Sequence, residues 1–188
     1  MNPILIDVPE VIETERLILR AFRPGDGPEL YRSLQESQMH LAPWLAWAVH
    51  TPTPESSEVE VRQANIRFLS REDLRYGMFL RQDPTTLVGS TGLHRIDWTA
   101  RRFEVGYWIR SSYQGRGHTT EAVKALTAMA FGALQANRIE VRCDPLNLAS
   151  IAVAKKSGFS FEGTLKNDTM SPNGRLRDTS IFALVRGT

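Results

Sequence analysis

Short alternations of apolar and polar residues, punctuated by proline and glycine, run along the chain from Thr14 to Arg186. Thr14 to Phe22 (TERLILRAF) sets Leu17 and Leu19 against Arg16, Ile18 and Arg20, which predicts a first strand with both faces partly covered. Pro24-Gly25-Asp26 ends it, and Asp26 is placed to cap a helix from about Pro28 to Glu36 with Leu30 and Leu34 on one face. Thr51 to Glu55 holds two prolines and reads as a loop. Pro54 with Ser56 or Ser57 then opens a helix to about Arg71. Tyr76 to Arg81 and Leu87 to Ile96 read as hairpin partners around an Asp83-Pro84-Thr85-Thr86 turn. Gly89 and Gly92 inside the second strand suggest a bulge or a close backbone approach.

After a turn at Trp98 to Arg102, Phe103 to Ile109 is rich in aromatic and β-branched residues and predicts a strand. Ser111, Ser112, Gly115 and Gly117 break the pattern. Thr119 or Thr120 then caps a helix with Val123, Leu126, Ala130 and Leu134 at helical spacing, and Glu121 suits its N-terminal dipole. Arg138 to Asp144 puts Ile139, Val141 and Cys143 on one face, a buried strand stopped by Pro145. Asn147 caps a short helix through Ser157, closed by Gly158. Phe159 to Lys166 and Asp178 to Arg186 form the last strands, with Ser171 to Gly174 as a hairpin turn signal. The order βααβββαβαββ predicts an α/β domain with a mixed, largely antiparallel sheet.

Composition narrows this little further. With 188 residues, 41% of them hydrophobic, the chain suits one well-buried domain over 1–188, with residues 1–13 as a loosely held leader carrying two prolines. The 23 Lys and Arg against 21 Asp and Glu leave a net charge of +2, too mild to argue for nucleic acid or a membrane as partner. No apolar run has membrane-span length and no signal-peptide pattern opens the chain, so a cytoplasmic location is expected. Cys143, the single cysteine, reads as a buried inert thiol, and His40, His50, His94 and His118 lack metal-ligand spacing.

The candidate chemistry lies in Gly106 to Ala122. A strand running into a two-glycine turn and then a helix lets successive backbone N–H groups converge on a diphosphate. A Walker loop would need G-x-x-x-x-G-K-S/T and a dinucleotide fold G-x-G-x-x-G; neither is met, since Thr120 stands where the third glycine belongs. Gln114-x-x-Gly117-x-Thr119 resembles the acyl-CoA signature Gln/Arg-x-x-Gly-x-Gly/Ala of the GNAT N-acetyltransferases, with Thr119 departing at its last position. Gly117-His118-Thr119-Thr120-Glu121-Ala122 is similar to the G-Y-A-T-E-A string of the RimJ/RimL subgroup, the ribosomal-protein N-terminal acetyltransferases. Leu41-x-Pro43-Trp44-Leu45-x-Trp47, Asn147-x-x-Ser150, Gly158-Phe159-x-x-Glu162-Gly163 and Gly174-Arg175-x-x-Asp178 resemble that subgroup in the same order.

The resemblance implies the GNAT fold, a mixed sheet with helices on it and two splayed central strands, and transfer of acetyl from acetyl-CoA, as co-substrate, to a primary amine. It implies a pantetheine arm lying between strands 103–109 and 138–144, against the backbone of Trp108, Ile109 and Arg110. The diphosphate would sit on the loop formed by Gln114, Gly115, Arg116, Gly117, His118 and Thr119. Asn147 would cap its helix, touch CoA, or both. Glu104, a carboxylate inside an apolar strand, is the first candidate for the base; an outward-facing partner of Arg95, Arg101 or Arg102 is the equal alternative. His94 in the adjacent strand is the second candidate. Ser150 would stabilise the leaving thiolate, at a point where many family members use a tyrosine that this chain lacks. Trp44 and Trp47 would rim the acceptor cleft, with His94, Asp168 and Asp178 as further substrate contacts. The implied acceptor is a protein N-terminus; a small amine, or an acyl-CoA-binding module without turnover, are the alternatives, and a homodimer is one expectation.

Overall fold

The computed structural model describes residues 2–187. Twelve elements carry the fold: β1 (Val11–Glu13), β2 (Leu17–Ala21), α1 (Gly27–Leu41), α2 (Pro54–Leu69), β3 (Leu74–Leu80), β4 (Asp83–Asp97), β5 (Arg102–Ile109), α3 (His118–Gly132), β6 (Arg138–Cys143), α4 (Leu148–Lys156), β7 (Ser160–Met170) and β8 (Leu176–Val185). The sheet runs β1-β2-β3-β4-β5-β6-β8-β7. Every neighbouring pair is antiparallel except β5 and β6, which α3 joins as a crossover. Among the described residues, no helix is long and apolar enough to cross a membrane.

Alternation decides the layers. Phe103 and Val105 of β5 point to one face, where Ala122, Val123, Leu126 and Ala130 of α3 close over them and over Ile139 and Val141 of β6. Residues of the opposite parity reach the other face, where Leu30 of α1 and Val61 and Ala64 of α2 pack on Phe22, Phe79, Leu87 and Trp108. Each fully buried apolar side chain in these layers contributes about 1.5 to 3 kcal/mol of transfer free energy.

Several elements depart from the expectation. Residues 3–13 are pinned rather than loosely held. Val8 is buried, the Tyr76 hydroxyl donates to Pro9 O at 2.6 Å, Arg71 Nε donates to Ile6 O at 3.0 Å, and β1 pairs with β2. Helix α1 runs five residues past the expected end, because no breaker intervenes before Pro43. Asp26 makes no side-chain cap; its carboxylate is held by Arg20 through two 2.7 Å bonds. The hairpin turn is Arg81-Gln82, and Asp83 already belongs to β4, its carboxylate accepting from Thr85 Oγ1 at 2.7 Å. Helix α3 is capped by Gly117 at φ 80° rather than by a threonine. Asn147 does cap α4, accepting from the Ser150 amide at 3.0 Å, and Gly158 follows the helix end at φ 91°.

The parallel pair is the consequential feature. β5 and β6 are in register only at Arg102 with Arg138, Phe103 with Ile139 and Glu104 with Glu140. From Val105 to Ile109 β5 continues without β6 beside it, so the sheet opens at its centre.

Candidate active site

Three features meet at that opening. The first is the loop between β5 and α3. A left-handed residue at Gly117 and another at Gly115 (φ 71°), conformations glycine adopts without strain, turn the chain so that α3 begins at His118. The amides of residues 115–120 make no hydrogen bond within the described residues, whereas the Gln114 amide donates to Ser111 O and that of Glu121 to Gly117 O. Six unspent donors at a helix N-terminus form a site for a multiply charged anion. Arg16 reaches the same loop: its Nη1 donates to Arg116 O at 2.9 Å, and a Cβ on Gly117 would lie 3.4 Å from its Nη2. Glu121 anchors Arg16 with a 2.6 Å bond to Nε and accepts from the Thr14 hydroxyl at 2.7 Å. Burial works to raise the Glu121 carboxyl, but these donors prevail and hold it below the usual carboxylate value.

The second is the open edge of β5. The Arg110 amide donates to Val88 O at 2.8 Å, and antiparallel pairing alternates, so the even-numbered residues 106, 108 and 110 give their backbone groups to β4. Tyr107 and Ile109 therefore turn theirs toward the gap. Across it, the Tyr107 hydroxyl donates to Ser150 O at 2.9 Å and lies 3.0 Å from Ser150 Oγ, at the start of α4. Burial pushes the phenol well above its usual range, so it is a neutral hydrogen-bonding group. Burial likewise raises the nearby Cys143 thiol, against the hydrogen bond it makes with Ser150.

The third is a cavity of about 710 Å³ on the α1–α2 face of the sheet. Leu34, Leu41, Leu45, Trp47 and Trp108 supply an apolar wall, with Trp47 edge-on to Trp108 at 6.3 Å between ring centroids. Asp73, Glu60, Arg75, Thr91 and His94 supply a polar one, and the floor reaches Gly106 and Tyr107 at the gap.

Residues 16–160 match the family model described as an acetyltransferase (GNAT) domain. The chain belongs to the GNAT acetyltransferase family. The ribosomal-protein-serine acetyltransferase of Escherichia coli is 27% identical over 172 residues, 92% of this chain and 94% of that one. The uncharacterized N-acetyltransferase p20 of Bacillus licheniformis is 28% identical over 179 residues, 94% and 97% of the two chains. Among solved structures, the ribosomal L7/L12 α-N-protein acetyltransferase RimL in complex with coenzyme A superposes with a TM-score of 0.86 at 24% identity, covering 94% of this chain and 98% of that one. The protein is thus an acetyl-CoA-dependent N-acetyltransferase with the GNAT fold.

Within this GNAT frame the expected site residues separate. Gly115, Arg116, Gly117, His118 and Thr119 stand together on the loop with free amides; Gln114 precedes them with its amide spent, and the Arg116 guanidinium lies 5.0 Å over the Tyr113 ring. The His118 imidazole turns inward, buried with Nδ1 unpartnered, and burial lowers its pKa. Ile109 borders the gap. Arg110 does not serve as expected: its amide is taken by Val88, and its guanidinium pairs with Glu36 (2.6 Å) and Glu29 (3.0 Å). Trp108 contributes an indole to the cavity instead of backbone to the gap. Ser150 and Asn147 both sit at the start of α4, with the Asn147 carbonyl committed to the cap.

Of the substrate candidates, Trp47 and His94 line the cavity and Trp44 does not; its carbonyl accepts from Arg177 at 3.2 Å. Asp168 and Asp178 lie on the β7–β8 hairpin, neutralised by Arg142 and Lys166 at 2.8 Å each, and neither borders the cavity. Glu104 stands at the last β5–β6 pair, with Arg95 at 3.5 Å and Arg142 at 4.0 Å. Burial raises its carboxyl, against those arginines and His94, yet it is not part of the cavity wall. Three residues of the site escaped the sequence reading: Asp73, Arg16 and Tyr107. The last supplies, from β5, a tyrosine beside Ser150 that the local sequence lacks. Arg16 sits between β1 and β2, a hundred residues from the loop it reaches, and carries no local mark of it.

Proposed function

We propose that the chain acetylates the N-terminal amine of a protein, with a ribosomal-protein-like acceptor. The observation that carries the reading is that one cavity is lined both by the exposed Trp47 with residues 50–53 and by Gly106, where the β5–β6 gap begins. Such a cavity admits the end of a peptide while its remainder stays outside. Asp73 in the wall favours an ammonium, and Trp47 and Trp108 give apolar surface to the first side chains. The E. coli relative, named for a ribosomal-protein serine, supports the same class of acceptor.

Acetyl-CoA supplies a thioester carbonyl and a thiol leaving group. The amides of residues 115–120 would hold its diphosphate, with Arg16 adding a nearby charge, and the Tyr107 and Ile109 backbone groups would pair with the pantetheine arm as an added strand. Ser150 Oγ, whose proton is directed at the Tyr107 hydroxyl while that hydroxyl donates to Ser150 O, would turn it to the departing sulfur. Thiol release measured against a panel of ribosomal-protein N-terminal peptides and a panel of polyamines, amino acids and aminoglycosides tests the reading. Turnover with peptides supports it. Turnover with small amines alone would assign a small-molecule acceptor, and CoA binding without thiol release would assign an acyl-CoA-binding module.

A further inference from the structure

We propose that His94, held by Asp73 across a pair of facing glycines, is the general base that deprotonates the acceptor ammonium. The proposal rests on the acetyltransferase reading and names the residue that makes its amine reactive. His94 lies on β4 opposite Glu104 of β5, but its ring is laid over the next pair on the same face, Gly92 with Gly106. A Cβ on Gly106 would stand 2.8 Å from His94 Cδ2 and 2.9 Å from Nε2, and one on Gly92 would stand 3.0 Å from Cε1. The imidazole therefore occupies space that two opposed side chains would fill, and glycine at both positions admits it.

Its orientation is set from the other side. His94 Nδ1 lies 2.5 Å from the Asp73 carboxylate, which projects from the connection between α2 and β3. An imidazole donating Nδ1–H to a carboxylate keeps Nε2 as its acceptor. That nitrogen rests against Gly106, in the cavity wall and two residues beyond the last β5–β6 pair, so it stands where the cavity meets the gap. The charged groups around the ring are Asp73, Glu104 of β5, Arg95 of β4, Arg75 of β3 and Glu60 of α2. Glu60 is occupied by Arg75 at 2.5 Å and by Arg67 of α2 at 3.2 Å, and Glu104 by Arg95 and Arg142; of the two histidines lining the cavity, His50 belongs to the connection ahead of α2 and His94 stands on the sheet at the gap.

The step balances without a further reagent. Neutral His94 takes one proton from the ammonium at Nε2, and the resulting imidazolium is paired with Asp73. The freed amine nitrogen forms a C–N bond to the thioester carbonyl carbon, the C–S bond breaks, and the second N–H proton passes to the leaving sulfur. The products are an amide, a thiol and an imidazolium, which returns its proton to water at the cavity mouth.

The test compares H94Q, D73N, the double variant and E104Q for kcat, for KM of both substrates and for the pH dependence of kcat/KM. H94Q is expected to lower kcat by about 10²-fold or more, leave KM for acetyl-CoA within about twofold, and abolish the acidic limb of the profile. D73N should cost about tenfold in kcat, since the ring loses the carboxylate that orients it. The double variant should be no worse than H94Q, and E104Q should keep the limb. Wild-type kcat in H94Q, or loss of the limb in E104Q alone, overturns the proposal. Imidazole ¹⁵N spectra of the wild-type protein at pH 9 give a readout independent of turnover: Nδ1 protonated and Nε2 bare is required, and the reverse tautomer overturns the assignment. A protein with the required tautomer but no turnover on any amine would fail the acetyltransferase reading instead, and with it the base.

Discussion

Adding one methyl group at Gly106 should disable the enzyme without unfolding it. In Gly106→Ala the new Cβ would meet His94 Cδ2 at 2.8 Å and Nε2 at 2.9 Å, about 0.7 Å inside the normal carbon contact of roughly 3.5 Å. Both obstructing atoms belong to the far edge of a side chain that is 30% exposed, so the ring can retreat into the cavity. Stability should then fall by less than about 1.5 kcal/mol. Retreat stretches the 2.5 Å Nδ1–Asp73 bond and moves Nε2 off the gap. A displacement approaching 1 Å costs about 10²-fold in a positioned reaction. Gly92→Ala is the comparison for stability. Its Cβ would strike Leu74 O at 2.9 Å and Arg75 Cα at 3.0 Å, backbone atoms that cannot yield, besides His94 Cε1 at 3.0 Å, so it should lose about 1 to 3 kcal/mol of stability as well as activity. Thiol-release kinetics and urea unfolding on both variants distinguish the effects. Wild-type kcat in Gly106→Ala, or a stability loss equal to that of Gly92→Ala, would refute the reasoning.

Other perturbations have equally definite outcomes. Gly117→Asp puts a carboxylate and a non-glycine residue at φ 80° on the anion loop, and should weaken CoA at least about tenfold by calorimetry, roughly 1.4 kcal/mol. Ser150→Ala should lower kcat by about 10²-fold at unchanged KM for acetyl-CoA, and Tyr107→Phe, which leaves the serine unoriented, should act in the same direction but less severely. Trp47→Ala should raise the acceptor KM about fivefold, the loss of an aromatic contact of about 1 kcal/mol, and spare acetyl-CoA. The Glu121 carboxyl is held below its unfolded value, so its stabilisation is complete above that value and is lost as pH falls through the depressed one. Acid unfolding should be steeper in wild type than in Glu121→Gln below about pH 4.5, the unfolded carboxyl value.

What the sequence disclosed was what short-range physics controls. Aromatic and β-branched content located the strand from Phe103 to Ile109, and period-two alternation across Ile139, Val141 and Cys143 located β6, because burial on one face is written every second residue. The Asn147 cap was legible because a cap is decided within three residues. Gly117 was not recognised as the cap of α3, since two threonines followed it and the left-handed turn has no side chain to announce it. β1 is three residues long and exists only by pairing with β2, too short to show a period. The site was least legible where it is assembled across distance. Asp73 meets His94 over 21 residues and Tyr107 meets Ser150 over 43, and neither partner carries a local mark of the other. Glu104 drew attention as a lone carboxylate in an apolar strand, whereas the fold turns its charge to Arg95 and Arg142 and gives the cavity to the neighbouring histidine.

Six unspent amides between β5 and α3 are placed to bind the diphosphate and to lead the thioester into the β5–β6 gap. Amide ¹H–¹⁵N spectra recorded during titration with CoA measure this at each residue. The account predicts the largest shifts at 115–120, with a second group at Tyr107 and Ile109. Shifts confined to the α1–α2 cavity, with residues 115–120 unmoved at saturation, would contradict it.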